Sequence, residues 1–249
     1  MREWITGRNP VFEVLQTRRR QIFRLLVASG SEEKGRLAEI VSLAAQRRVP
    51  LQRVPRQQLD ALGEGHQGVA LEVSGYPYAD YADIMKRAQQ RQEPPLILLL
   101  DMLQNPQNLG TLLRTAEAVG VHGIIIPPRR AAGITPAVVH ASAGATEHLL
   151  VAQMNLAQAI DMLKSADVWV VGLAGEAAQP IQQAPLDAPL ALVVGNEGEG
   201  MRALVARKCD VVVKLPMKGK IESLNAAVAG SVALYLTLLA RQSSSKEAT

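Results

Sequence analysis

The sequence of 249 residues has few cysteines, few aromatic residues and no spacing typical of metal ligands. Its one cysteine, Cys209, rules out a framework of intrachain disulfides and favours a reducing compartment, so we expect a cytoplasmic protein. Aromatic residues make up 3% of the chain, and the core must therefore be aliphatic. The four histidines are scattered, and we expect no metal site.

The sequence also lacks the long apolar segments of secreted and membrane proteins. The start MREWITGRNP has no apolar core of the kind found in signal peptides, so a secretory signal is not expected. The longest apolar stretch, residues 224–240, is short for a membrane span, contains Asn225 and is rich in small residues. We interpret it as a buried helix and expect no membrane association.

Positive charge is concentrated in the first part of the chain. The whole chain has 27 Lys and Arg against 23 Asp and Glu, and residues 1–93 hold 15 against 11. The run Arg18–Arg20, followed by Arg24, is the densest group there. Such clusters are typical of proteins that bind polyanions, although a solvated helix end has the same pattern.

The chain divides into two α/β parts. In the first part, at 1–75, the segments QIFRLLVAS and HQGVALEVS predict strands and SEEKGRLAEIVSLAAQRR predicts an amphipathic helix. A polar connector follows at 76–94, and a larger domain occupies 95–243. The polar residues 244–249 are expected to form a disordered tail.

The larger domain alternates short apolar runs with helical patterns. Near-continuous apolar strands separated by helices predict a parallel sheet covered on both faces, which binds ligands beyond the carboxyl ends of its strands. The predicted strands are 96–101, 123–127, 148–152, 168–173, 190–194 and 211–215.

The first of three unusual loops, DMLQNPQNLGTLLRTAEAVG, starts at residue 101. Asn108 is predicted to cap the helix that follows. The helical pattern puts Arg114 opposite the apolar stripe, where packing does not need it. Arg114 is therefore either an ordinary exposed arginine, paired with Glu117, or a group that binds a phosphate or carboxylate.

The second loop is GNEGEG, residues 195–200. Its glycine order differs from the G-x-G-x-x-G of dinucleotide sites, and it has no phosphate-binding lysine, so an NAD enzyme is not favoured. Its glutamates favour a neutral or cationic ligand, although a tight turn before a helix would also explain them. In the third loop, PMKGKIESLN (216–225), Ser223 or Asn225 is predicted to start the last helix.

Together the three loops resemble the motifs of the SpoU (TrmH) class of RNA ribose 2′-O-methyltransferases, in the SPOUT superfamily. The matching segments are NLGTLLRTA, GNEGEG and PMKGKIESLN, and the resemblance covers about residues 96–240. The N-terminal segments ITGRNPVFEVL and HQGVALEV resemble the small, ribosomal-protein-like substrate-binding domain of those members that methylate a guanosine of 23S rRNA.

The resemblance implies a trefoil knot that binds S-adenosylmethionine, a sulfonium cation without phosphate, and a homodimer paired through helices such as the last one. The small-residue face of 224–240 is compatible with such close helix pairing. The resemblance assigns cofactor binding to Ala174, Gly195, Leu215, Met217 and Leu224. It assigns catalysis to Asn108, Arg114, Glu197, Ser223 and Asn225.

Arg114 corresponds to a proposed general base of the class. Because guanidinium groups have a pKa above about 12, we expect Arg114 to hold a substrate phosphate and stabilise the developing alkoxide instead. The basic N-terminal part favours a large structured RNA, and the resemblance favours a guanosine in the peptidyl-transferase loop of 23S rRNA. The alternatives are transfer RNA as substrate and an RNA-binding module without turnover. The intact motif residues argue against the latter.

Overall fold

The computed structural model describes residues 2–221 and 223–247, which fall into two units. The first unit comprises Met1–Pro77 and Ile134–His148, and the second comprises Tyr78–Gly133 and Leu149–Thr249. The sequence predicts one connector, at 76–94, whereas the chain passes between the units three times. That connector contains the helix Tyr81–Arg91.

The strands and helices are, in chain order, β1 (Arg2–Thr6), α1 (Arg8–Thr17), β2 (Ile22–Ala28), α2 (Arg36–Gln46), β3 (Leu51–Val54), α3 (Arg56–Asp60), β4 (Val69–Ser74), α4 (Tyr81–Arg91), β5 (Leu96–Leu100), α5 (Pro106–Ala118), β6 (Gly123–Ile126), α6 (Pro136–Ala141), β7 (Val151–Gln153), α7 (Leu156–Lys164), β8 (Trp169–Leu173), β9 (Gln179–Pro180), β10 (Leu190–Val194), α8 (Ala203–Lys208), β11 (Val211–Lys214) and α9 (Ala226–Glu247). Short 3₁₀ turns lie at Ala145–His148 and Ile181–Gln183.

The first unit contains a four-stranded sheet in the order β1-β4-β2-β3. The pairs β1–β4 and β2–β4 are antiparallel, and β2–β3 is parallel. Ile5, Leu25 and Leu71 are fully buried at paired positions on one face of this sheet. The strands β2 and β4 confirm the prediction. The strands β1 and β3 were not predicted, because they are short and mostly polar.

Residues 134–148 are held in the first unit by a buried ion pair. Arg20 donates from Nη2 and Nε to the two carboxylate oxygens of Glu147, at 2.8 and 3.1 Å, and both side chains are fully buried. Arg20 also donates to Glu3 at 3.1 Å. Arg19 donates to the backbone oxygens of Pro77 and Glu147. Two arginines of the run Arg18–Arg20 are therefore engaged inside the unit and are not available to a polyanion.

The second unit is built on a seven-stranded sheet in the order β7-β6-β5-β10-β8-β11-β9, and every pair is parallel. This confirms the predicted parallel α/β fold, and its core of buried aliphatic residues is the predicted kind. The strand predicted at 148–152 is shifted and starts at Val151, because residues 145–148 form a 3₁₀ turn. The trefoil knot stays a prediction of the resemblance.

The last apolar stretch forms the helix α9, as predicted. Ala227, Ala233 and Leu234 on one side of this helix are buried. Within the described residues no helix is both long enough and apolar enough to span a bilayer. The helix continues to Glu247, so most of the expected disordered tail at 244–249 is helical instead, since it has no glycine or proline to end the helix. Residues 248 and 249 lie outside the described part of the chain.

We predict that Glu147→Gln lowers the free energy of unfolding by about 3 kcal/mol, because Arg20 would keep a buried charge without its main counterion. The change is measured by urea denaturation of the full chain. The control is Glu39→Gln, which removes the exposed ion pair of Glu39 with Arg36 and should cost about 1 kcal/mol or less. Equal losses in the two variants would contradict a structural role for the buried pair.

Candidate active site

A cavity of about 500 Å³ lies at the carboxyl ends of β8, β10 and β11, which are near neighbours in the large sheet. Its lining comes from the segments that follow these three strands and from the start of α9. This is the edge at which parallel sheets bind ligands, and the volume lies in the range of ~300–1,000 Å³ common for small-molecule sites. The cavity is therefore the candidate site.

All five residues predicted to bind the cofactor line this cavity. They are Ala174, Gly195, Leu215, Met217 and Leu224. Glu197 and Ser223 from the predicted catalytic set line it as well. Asn108, Arg114 and Asn225 are not among the lining residues. The structure thus brings the cofactor set together, while the role of each residue stays a prediction.

The glycine loop at 195–200 is closed by its own asparagine. Asn196 accepts hydrogen bonds at Oδ1 from the backbone N–H groups of Gly198 and Glu199, at 2.8 and 2.7 Å. The backbone N–H of Asn196 donates to the carbonyl of Gly200. Two of the amides that a phosphate would need are therefore already engaged. The loop is not a phosphate cradle, which agrees with the interpretation of its sequence.

Gly195 is required by the close return of this loop. A Cβ atom at position 195 would lie 2.2 Å from the carbonyl carbon of Gly200 and 2.4 Å from the nitrogen of Met201. No side chain fits at such distances, so only glycine allows the loop to close against the end of β10.

The electrostatic character of the cavity is acidic. Among the described residues that line it, the charged ones are Glu176 and Glu197. The rest of the lining is glycine, small or apolar apart from Asn196 and Ser223. A cationic ligand, or one rich in hydroxyl and amino donors, is favoured over an anion.

Three residues of the predicted catalytic set form a hydrogen-bonded chain. Asn225 accepts at Oδ1 from the N–H groups of Ala227 and Val228, and so caps α9. Its Nδ2 donates to Oδ1 of Asn108 at 3.2 Å. The Nδ2 of Asn108 in turn donates to Oε1 of Glu197. The start of α9 and the start of α5 thereby fix a carboxylate at the cavity.

Asn108 does not cap α5, contrary to the sequence prediction. The cap is Asn105, whose Oδ1 accepts from the N–H of Gln107 at 2.8 Å, and Pro106 occupies the first helical position. Proline lacks a backbone N–H and suits that position, so the helix begins three residues earlier than expected. This leaves the side chain of Asn108 available to Glu197 and Asn225.

Arg114 is exposed on α5, opposite the buried residues Leu112 and Leu113 of the same helix. It forms no hydrogen bond or ion pair with any residue that the structure describes, and the pairing with Glu117 that the sequence allowed is not among its interactions. The guanidinium is therefore free to receive an anionic group from outside the chain.

The sequence analysis did not identify two residues that position the glycine loop. Asp101, directly after β5, is fully buried. Its Oδ2 accepts from the backbone N–H of Arg202 and its Oδ1 accepts from Nε of the same arginine, both at 2.7 Å. The end of β5 is thus tied to the end of the glycine loop. The sequence signal was an acidic residue that ends the apolar run LILLLD.

Thiolate chemistry is not favoured at Cys209, which is not among the residues that line the cavity. Burial, followed by the charge of Asp210, raises the pKa of the Cys209 thiol to about 12, so the thiol stays protonated near neutral pH. The described residues also contain no group of three His, Cys, Asp or Glu side chains that could hold a metal ion.

Two family models match the chain. Residues 95–235 match the SpoU rRNA Methylase family. Residues 4–79 match the family described as RNA 2′-O ribose methyltransferase substrate binding. The first match includes all three loops with predicted site residues.

Similar proteins match over nearly the whole chain. The putative TrmH family tRNA/rRNA methyltransferase YacO of Bacillus subtilis (strain 168) is 43% identical over 94% of this chain and 94% of its own. The 23S rRNA (guanosine-2′-O-)-methyltransferase RlmB of Pseudomonas putida is 41% identical, over 96% of this chain and 97% of its own. The crystal structure of the SpoU methyltransferase AviRb from Streptomyces viridochromogenes, in complex with AdoMet, has a TM-score of 0.80 and 25% identity, covering 96% and 90%.

We predict that Asp101→Asn loosens the glycine loop, because an amide nitrogen would face one of the two donors of Arg202. Backbone amides of residues 196–202 should exchange with deuterium about 10- to 100-fold faster, as expected for the loss of charged hydrogen bonds. The control is Asp161→Asn, which breaks the exposed ion pair of Asp161 with Lys208 and should leave this loop unchanged. Unchanged exchange in Asp101→Asn would show that other contacts hold the loop.

Proposed function

The chain belongs to the SpoU family of RNA ribose 2′-O-methyltransferases, and on that premise we propose that it methylates a guanosine of 23S rRNA with S-adenosylmethionine. The target guanosine is proposed to lie in the peptidyl-transferase loop of that RNA. The product is RNA with a methyl group on the 2′-oxygen of this nucleotide. The observation that carries the proposal is an acidic cavity at the strand ends. The same unit presents an exposed arginine, Arg114, which has no partner among the residues that the structure describes. The relative RlmB supports the choice of rRNA and guanosine.

The cavity fits S-adenosylmethionine in size and charge. In the glycine loop the N–H groups of Gly198 and Glu199 already donate to Asn196 and are not available to a phosphate. This suits a cofactor that has no phosphate. Glu176 and Glu197 suit a sulfonium cation and its hydroxyl and amino donors. When bound, S-adenosylmethionine supplies an electrophilic methyl group. The backbone of Gly195 and Leu215, with Met217 and Leu224, would hold it.

Arg114 is assigned to the RNA. An arginine side chain stays protonated in proteins and does not accept a proton, so Arg114 acts by charge. We assign it to a substrate phosphate and to the negative charge that develops on the 2′-oxygen during transfer. Its exposure and its lack of a protein partner among the described residues fit this role.

Glu197 is assigned as a hydrogen-bond acceptor for the substrate. Its carboxylate is held by Asn108, and Asn108 is held by Asn225, so the acceptor is oriented before RNA binds. A hydrogen bond to a charged acceptor of this kind is worth about 1.5–3 kcal/mol. Ser223, exposed at the cavity, is assigned to orient the RNA or Arg114.

Transfer RNA is the second candidate substrate, since the name of the relative YacO includes both tRNA and rRNA. An RNA-binding module without turnover is less favoured, because all the motif residues proposed for catalysis are present and Asn108, Glu197 and Asn225 are hydrogen-bonded to one another.

We also propose that the chain forms a homodimer through α9. Four apolar residues on this helix are 41–55% exposed and recur at intervals of four, three and four residues, namely Val228, Val232, Tyr235 and Leu239. This spacing forms a continuous stripe that a second helix can cover. The small residues of α9 are used within the chain instead, because Gly230 packs against Leu112 and Ser231 bonds Thr115.

We predict that the protein transfers labelled methyl groups from S-adenosylmethionine to unmodified 23S rRNA, at one guanosine, and not to unmodified tRNA. Arg114→Ala should lower kcat by at least about 100-fold, because the developing charge loses its stabilising cation, while the Kd for S-adenosylmethionine changes little. Arg114→Lys keeps the charge but loses the planar pair of donors, and should restore only part of the rate.

The outcomes separate the parts of this proposal. Label in tRNA alone would keep the chemistry and overturn the substrate. Full turnover in Arg114→Ala would overturn the role of Arg114. Lys86→Ala on α4 is the control, since it removes an exposed cation of the same unit that lies in none of the three motifs.

We predict that Val232→Glu converts a dimer into a monomer of 26.8 kDa, because two carboxylates would be buried in the interface. Sedimentation velocity measures the mass. Met162→Glu on α7 is the control, since Met162 is 43% exposed and apolar but lies away from α9 in the chain. A wild-type mass of one chain would overturn the proposed dimer.

A further inference from the structure

The sheet of the first unit has one face that is only half covered. On this face Leu26, Val54 and Ala70 pack with Leu59 of α3 in a buried cluster. The other half of the face holds Trp4, Glu72 and Arg24, paired side by side across β1, β4 and β2. Here Trp4 and Arg24 are partly exposed and Glu72 is buried between them, and Trp4 also packs against the edge of the apolar cluster.

Two guanidinium groups lie over aromatic rings in this uncovered half. The Arg24 Cζ lies 5.2 Å from the centroid of the Trp4 ring. The Arg2 Cζ lies 4.1 Å from the centroid of Phe23, next to the irregular pairing of β2 with β4. The side chains of Arg2 and Arg24 are 62% and 40% exposed. Both arginine side chains are therefore accessible to solvent.

The two arginines share one carboxylate. Glu72 accepts from Nε of Arg24 at 2.7 Å and from Nη1 of Arg2 at 3.5 Å. Gln52 accepts from Nη1 of Arg24 at 3.3 Å, so the Arg24 guanidinium is held in one orientation. Two positive charges against one negative charge leave this half of the face positive.

Four other arginines of the first unit are less suited to bind RNA, because they are engaged with protein groups. This unit holds 12 Lys and Arg against 9 Asp and Glu. Arg19 and Arg20 are engaged with residues 146–147 and other internal groups. Arg53 and Arg36 are each paired with a glutamate of their own, Glu33 and Glu39. Arg2 and Arg24, in contrast, are exposed, share a single carboxylate and each lie over an aromatic ring.

We propose that this surface, formed by Arg2, Trp4, Phe23, Arg24, Gln52 and Glu72, binds unpaired nucleotides of the RNA substrate. We name it the arginine–aromatic strip. The proposal rests on the proposed function, in which the substrate is RNA, and adds the residues that recognise it. A nucleobase stacks on the open face of a guanidinium plane, and the adjoining phosphates neutralise the excess positive charge.

The chemistry of the strip favours RNA over a protein partner. Stacking accepts any base, and the two guanidinium groups lie 4.1 and 5.2 Å from the centroids of aromatic rings, which is within cation–π distance. An apolar protein surface would have to bury two guanidinium groups that share a single carboxylate, which is costly. Unpaired nucleotides offer flat bases that can stack on the guanidinium groups and phosphates that neutralise the excess positive charge of the strip.

The test measures Kd by filter binding for unmodified 23S rRNA and tRNA transcripts. Arg2→Gln and Arg24→Gln are made singly, so that Glu72 keeps one arginine. Each should weaken binding of the substrate RNA about ten-fold, the loss expected for one stacked base. The Kd for S-adenosylmethionine should not change.

Arg36→Gln is the matched control. Arg36 lies 4.1 Å over the ring of Phe12 and pairs with Glu39 at 2.7 Å, so it repeats the chemistry of Arg24 on a helix outside the strip. This variant should bind RNA within about two-fold of the wild type. Glu72→Gln removes the shared carboxylate and should tighten binding several-fold, most clearly at low salt.

The outcomes of this test are distinct from those of the proposed function. Equal Kd values for Arg2→Gln, Arg24→Gln and Arg36→Gln would overturn the strip, even if the enzyme methylates 23S rRNA. A wild-type protein that binds RNA through the strip but transfers no methyl group would overturn the proposed function alone. A wild-type protein that binds neither transcript would overturn the strip as an RNA surface.

Discussion

The candidate site depends on the ion pair between the buried carboxylate of Asp101 and the partly exposed guanidinium of Arg202. A carboxylate with no access to water is stable only with a well-placed partner, so Asp101 fixes the position at which the glycine loop ends. From that anchor the chain runs back to Gly195, where the backbone comes so close that no side chain fits. The shape of the cavity therefore follows from one buried charge and one missing Cβ atom.

The site keeps charges of opposite sign apart. Glu176 and Glu197 line the cavity, whereas Arg114 lies exposed on α5. Asn108 lies on the same helix as Arg114 and bonds the carboxylate of Glu197. A neutral amide in this position holds the carboxylate without neutralising it. A cationic methyl donor and an anionic RNA backbone would thus each meet charge of the opposite sign.

The sequence allowed much of the larger unit to be predicted, because buried parallel strands are continuous apolar runs and their ends carry the loops. Contacts between residues far apart in sequence were not accessible in this way. Arg20 had the pattern of a surface cluster, yet Glu147 lies 127 positions later and buries it. Asn108 was interpreted as a cap because a local rule favoured it, but Asn105 followed by Pro106 satisfies the same rule earlier. The role of Asp101 could not be predicted from a local motif, because its partner Arg202 lies 101 positions later, beyond a different strand.

The return of residues 134–148 to the first unit limits how such proteins can be recombined. An exchange of N-terminal parts between relatives, cut at the connector, would carry Arg20 from one parent and Glu147 from the other. His140, whose Nδ1 lies 3.3 Å from the backbone oxygen of Thr6, would also be separated from its neighbours. A functional hybrid therefore has to inherit the N-terminal segment and residues 134–148 from the same parent. Substitutions in one of these two segments should be accompanied by substitutions in the other.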